Sequence, residues 1–228
     1  MQPAPLASEL EAWLVVTPLG LTAIKHPLVY AIPYHEPMNG TLNAQLAAKQ
    51  KAVDEALRRR RWPSYIALHE RPWRLQALHE VANLLRPRTY WSLLGEVYTD
   101  TENLWQNLDL WLELLHADLP DRGWLMDADE RHTLKALPES LTVFRGFAYD
   151  EQEDGLSWTL DKAVACRFAR HAYQPGDSGP PRVLEGRVAR ADVIAHFTGR
   201  GEQEVVALPE HVAVTVEHDA NSGSAGTA

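Results

Sequence analysis

The chain has 228 residues, enough for one large domain or two small ones, and 45% are hydrophobic, which excludes global disorder. Its formal net charge of −9 gives no general attraction to nucleic acid or anionic membrane, and its single cysteine, Cys166, excludes an intramolecular disulfide or a thiolate metal cluster. No apolar run approaches the ~18–20 residues of a membrane span, and Pro3 and Pro5 interrupt any secretion-signal pattern. The expectation is therefore a soluble, cytoplasmic protein without a membrane partner. Charge is uneven along the chain. Residues 41–90 carry 10 Lys/Arg against 4 Asp/Glu, and residues 91–140 carry 3 against 11, blocks suited to pairing with each other.

Residues 1–40 are irregular in pattern, with short strand-like runs at 14–16 and 28–32 between prolines. Residues 41–61 read as a helix, with Leu42, Leu46, Val53 and Leu57 near helical spacing and Trp62-Pro63 as its stop. Pro72 opens a second helix to about residue 85, and Pro87 closes it. A third helical stretch covers residues 90–116 and breaks near Thr99-Asp100; Leu104, Trp105, Leu108, Trp111, Leu112 and Leu115 then form an apolar stripe suited to a core. Residues 127–137 read as a further short helix. Beyond Pro138 the period changes to that of strands, at 141–144, 182–188, 193–197, 204–208 and 212–216. One helix interrupts them at 161–172, capped by Thr159 or Asp161. Residues 173–181 form a loop, and the Ser/Gly/Ala-rich tail at 221–228 is expected to fray. The fold class is α+β, divided into a mostly helical region (1–138), a strand-rich region (139–218) and a tail (219–228).

Three short pieces of the strand-rich region carry chemistry: Phe144-Arg145-Gly146, Gly155-Leu156-Ser157-Trp158-Thr159 and Gly201-Glu202-Gln203-Glu204-Val205-Val206. Arg offers a planar fork for phosphate. A carboxylate stabilises a sugar cation forming beside it, and a hydroxyl can hold that carboxylate in place. Glutamates at i and i+2 of an extended strand face the same side. Taken singly, each residue also has an ordinary reading: an edge-strand Arg, turn or cap hydroxyls, and solvated carboxylates. The order and spacing of the three pieces resembles the mono-ADP-ribosyltransferase family of the Arg–Ser–Glu class, over residues 141–217, about a third of the chain. The resemblance implies a split β-sandwich core with the helical region packed on it. NAD is the implied co-substrate, with no metal. It makes Glu204 the catalytic glutamate and Glu202 the upstream member of Glu-x-Glu, which accompanies transfer to arginine or other nucleophiles needing activation. Arg145 and Gly146 would lie at the NAD phosphates and ribose, with Ser157 and Thr159 as the Ser-x-Ser/Thr element. Residues 198–201, with Arg200 and Gly201, would be the substrate-recognition loop. In the loop over bound NAD, an aromatic would stack on nicotinamide, with Tyr173 or Phe168 as the candidate, although Phe168 also reads as core; Trp158 reads as sandwich filling.

The implied activity is transfer of ADP-ribose from NAD to a macromolecular acceptor, protein or nucleic acid. The alternatives are an NAD glycohydrolase, which gives the same intermediate to water, and a non-enzymatic interaction module of the same fold. A toxin, a toxin with a neutralising partner protein, and a phage or host regulator share these features. Arg58-Arg59-Arg60-Arg61-Trp62 mixes cations with an aromatic and suits either a solvated helix end or a single-stranded nucleic acid. The ten histidines lack metal-ligand spacing, and Rossmann and P-loop glycine motifs are absent.

Overall fold

In the computed structural model, which describes residues 4–149, 155–172 and 180–220 (Arg200 by its backbone alone), the chain is α+β and divides into two units, Met1–Leu85 and Arg86–Ala228. In the first unit, α1 (Ser8–Glu11) leads into an antiparallel three-stranded sheet of β1 (Leu14–Val16), β2 (Thr22–His26) and β3 (Val29–Ala31). β2 has no counterpart in the sequence reading, because Lys25 and His26 break its apolar alternation. Its Ala23 and Ile24 are nonetheless fully buried. Leu10, Ile24, Val29, Leu42 and Leu46 form the core between this sheet and α2 (Asn39–Arg58).

The end of α2 corrects the expectation that Trp62-Pro63 stops it. The Arg61 amide donates to the Ala56 carbonyl at 2.9 Å and the Arg60 amide to Leu57 at 3.1 Å, with Arg60 at φ 52°. This is a Schellman motif with an arginine in the left-handed position usually given to glycine. Trp62-Pro63 then opens α3 (Trp62–Leu68), where a proline in the first turn loses no hydrogen bond. After a 3-10 turn at Arg71–Trp73 comes α4 (Arg74–Val81), and a second at Ala82–Leu84 leads out of the unit.

The second unit opens with α5 (Pro87–Asp100), so Pro87 also starts a helix rather than closing one. The long helical stretch breaks at residues 101–103, as its sequence implied. A 3-10 turn, Leu104–Asn107, and α6 (Leu108–Leu115) follow. Trp91, Leu94, Trp111 and Leu115 are buried to 1% or less, and the Tyr90 hydroxyl donates to the Leu114 carbonyl at 2.7 Å. Gly95 lets α5 lie against the Arg122–Leu125 turn, for a Cβ there would meet the Leu125 carbonyl at 2.0 Å. α7 (Ala128–Ala136) has a complete capping box between Asp127 and Glu130.

A six-stranded antiparallel sheet completes the unit, in the order β7-β8-β5-β4-β6-β9. Its strands are β4 (Ser140–Phe147), β5 (Ser157–Thr159), β6 (Arg182–Ala189), β7 (Val193–Phe197), β8 (Glu204–Ala207) and β9 (Ala213–Asp219). One face carries a cluster of Val143, Phe147, Trp158, Leu184, Val205 and their neighbours, joined by Leu134 and Leu137 of the α7 segment. On the other, α8 (Lys162–Ala172) packs Ala165 and Ala169 against Val183 and Phe144. β5 therefore lies between β4 and β8, which brings the three chemistry-bearing pieces onto adjacent strands although 59 positions separate Arg145 from Glu204.

Candidate active site

Strand register puts the polar residues together. Phe144 pairs with Thr159, and Thr159 with Glu204, so these three share one sheet face; Ser157, two residues before Thr159, shares it as well. Ser157 Oγ donates to Glu204 Oε1. One strand over, Arg145 Nη1 donates to the Ser157 carbonyl at 2.6 Å. Its guanidinium occupies the space that a side chain at Gly155 would fill, since a Cβ there would lie 2.0 Å from Nη2. Arg145, Ser157 and Glu204 thus form a hydrogen-bonded series across three strands. All three line a cleft of about 520 Å³, within the usual range for small-molecule sites.

A fourth member comes from outside the strand-rich region. The Tyr98 hydroxyl, at the end of α5, donates to the same Glu204 Oε1 at 2.9 Å. Its ring stacks on Phe197 at 5.3 Å and meets Trp111 edge-on at 5.2 Å. Burial, then the charge and hydrogen bond of Glu204, hold the phenol well above its ordinary pKa, so the proton stays on Tyr98. In sequence Tyr98 is one apolar position of a helix, 106 residues before its partner; no local signal marks it.

The extended Glu-x-Glu geometry needs correction. β8 begins only at Glu204. Gly199–Gly201 forms a 3-10 turn, Glu202 is helical at φ −89° and ψ −16°, and Gln203 takes φ 45°. The glutamates therefore do not share a strand face by alternation. Both still line the cleft, because the left-handed Gln203 redirects the chain between them. Thr159 Oγ1 fixes this bend by donating to the Glu202 carbonyl at 2.6 Å, and the Leu160 amide donates to the Gln203 carbonyl at 3.2 Å. Thr159 also accepts from the Asp161 amide at 3.1 Å, while Asp161 caps α8 through the Ala163 amide at 2.8 Å. It is 5% exposed and acts as a joint between β5, the Glu202 turn and α8.

Gly146 has a packing reason to be glycine: a Cβ there would stand 1.9 Å from the Ala165 carbonyl of α8. Gly201 uses the left-handed region at φ 68°. Trp158 is 4% exposed and packs in the sheet core. Phe168 departs from its core reading, at 46% exposed with its ring on the cleft wall, because α8 turns Ala165 and Ala169 to the sheet instead. Trp105 departs likewise. It belongs to the 3-10 turn rather than to α6, is 44% exposed and lines the cleft. Tyr173, the 173–179 part of the expected loop and the 221–228 tail lie outside the described residues, as does the Arg200 side chain. In the first unit, Arg58 to Arg61 are exposed, and Arg59 pairs with Glu55 at 3.2 Å.

Among the described residues, no group of three or more His, Cys, Asp or Glu could hold a metal ion, and no helix is long and apolar enough to cross a membrane. No protein-family model, curated protein or solved structure matches this chain, so the geometry of the cleft is what bears on function.

Proposed function

We propose that the cleft binds NAD and cleaves its nicotinamide–ribose bond, passing ADP-ribose to a macromolecular acceptor, on a core of the ADP-ribosyltransferase kind. The observation that carries this reading is the Arg145–Ser157–Glu204 series, with Ser157 donating directly to the Glu204 carboxylate in a cleft of ligand size. The donor set fits NAD: a guanidinium for the diphosphate, aromatic rings at Phe168 and Trp105 for flat groups, and a carboxylate held by hydroxyls for the ribose.

In this reaction the bond from ribose C1′ to the nicotinamide nitrogen breaks, and its electron pair leaves with the ring. The nicotinamide departs neutral, so no general acid is required. Positive charge grows on the ribose, as in glycoside cleavage, and Glu204 offsets it from a fixed position. The acceptor nucleophile then bonds to C1′. Glu202, across the Gln203 bend, takes the proton that the nucleophile loses.

Release of nicotinamide from NAD tests the reading, with wild type beside Glu204→Gln. The expected loss of rate in the variant is about a hundredfold or more, as for removal of one preorganised electrostatic group. Equal nicotinamide release by the two proteins would overturn the assignment of Glu204. Free ADP-ribose as the sole product in the presence of acceptors would make the protein a glycohydrolase.

A further inference from the structure

We propose that Tyr98 is a positioning residue for Glu204, a role that rests on the reading of the cleft above. Two hydroxyls, Tyr98 from α5 and Ser157 from β5, donate to one oxygen, Glu204 Oε1. A carboxylate oxygen can accept both bonds through its lone pairs. Donors arriving from a helix on one side and a strand on the other fix the rotation of the carboxylate as well as its place. The phenol is 3% exposed, and its ring is wedged between Phe197 of β7 and Trp111 of α6, so it cannot swing away without opening that packing. Two features separate this from ordinary core filling. A buried tyrosine needs a partner for its hydroxyl, but a backbone carbonyl serves as well, as Leu114 does for Tyr90. Tyr98 instead spends its donor on a carboxylate that lines the cleft. It also makes the second unit's helical portion part of the site: the sheet supplies the charge and α5 orients it.

The charged groups around the phenol bear on its proton in opposite directions. Burial, the largest influence, and Glu204 raise its pKa and outweigh Ser157 and Arg145, which lower it. Tyr98 is therefore a fixed donor and not a proton relay. Its effect belongs in the rate of bond cleavage, where charge on the ribose appears, and not in the binding of NAD.

Tyr98→Phe keeps the ring and removes one donor. The full chain and this variant are compared by nicotinamide release, by calorimetric NAD binding and by thermal melting. The expected result is a kcat lower by about ten- to a hundredfold, the scale of one hydrogen bond to a charged group, with the NAD dissociation constant within about twofold of wild type. Ser157→Ala and the double variant complete a cycle. Two donors on one oxygen should be coupled, the double variant losing less or more than the product of the single losses. An unchanged kcat in Tyr98→Phe overturns the proposal while leaving Glu204 in its assigned role. A fall in kcat matched by an equal weakening of NAD binding also overturns it, because the hydroxyl would then shape the cleft for the ground state. A wild-type chain that binds NAD but releases no nicotinamide overturns both this role and the reading it rests on.

Discussion

Two glycines of the site separate function from folding. At Gly155 an added Cβ collides with the tip of the Arg145 side chain, which can move; at Gly146 it collides with the α8 backbone, which cannot move without the helix. Gly155→Ala should therefore dislodge the guanidinium from the Ser157 carbonyl with little change in melting temperature. The KM for NAD should rise by about tenfold, the scale of one charge-assisted contact. Gly146→Ala should instead destabilise the fold by about 1–3 kcal/mol or more, as overpacking does. Denaturant titration beside steady-state kinetics distinguishes the two; the same loss of stability in both would contradict the assignment. Arg145, Ser157 and Glu204 were legible in the sequence because each lies in or beside a strand-like run. Tyr98 was not, because its signal is a contact across 106 residues. The roles of Gly155 and Gly146 were equally hidden, since close approach by another element leaves no mark on a glycine.

At the scale of elements, the turn that carries Glu202 is held from two directions. Thr159 secures its end through the Glu202 carbonyl. Glu130 holds its start: one carboxylate oxygen accepts from the Thr198 amide at 3.2 Å while the other closes the α7 capping box at Asp127, 3.0 Å away. One side chain thus ties the first turn of α7 to the Gly199–Gly201 turn. Glu130→Ala should cost about 0.5–2 kcal/mol in urea denaturation, the range for a lost cap, and Glu130→Gln, which preserves a capping box, should recover most of it. A loss equal in both variants would show that charge and not hydrogen bonding matters there. Most helices and strands of the second unit follow their sequence periods, and β4, α8 and β6 to β9 lie close to expectation. The misreadings cluster at prolines and at short elements. Pro63 and Pro87 read as stops because proline ends a helix from within, whereas the chain uses each in a first turn, where no hydrogen bond is lost. The strand at Glu204 starts where its sequence places it, but the extended backbone expected between Glu202 and Glu204 gives way to a bend, since nothing local announces a left-handed glutamine.

For the molecule as a whole, two buried histidines set an acid limit. His69 in the first unit and His196 on β7 are each pushed below the usual histidine pKa, chiefly by burial. His196 is 1% exposed, and neither ring nitrogen has a hydrogen-bond partner among the described residues. Unfolded, these two side chains take up a proton near pH 6.5, where in their folded positions they still refuse it. Stability is thus complete above that pH and falls as the pH drops through it. Thermal melts from pH 8 to pH 5 should show a level melting temperature above about pH 7 and a decline below about 6.5, and His196→Leu should shrink the decline. An acid slope unaltered in that variant would assign it to other groups. The charge blocks, the single cysteine and the α+β class were all open to inspection in the sequence, while the boundary near Leu85 was not, because helices continue on both sides of it. Conversion of NAD in the cleft is open to a single labelling experiment. The full chain is incubated with NAD labelled in its adenine portion and with cell lysate, beside Glu204→Gln, and the products are digested with nuclease or protease. Label carried on a macromolecule by wild type and absent with the variant is the predicted result, and the digestion identifies the acceptor as protein or nucleic acid. NAD left intact by wild type would contradict the account and leave the fold as a binding module.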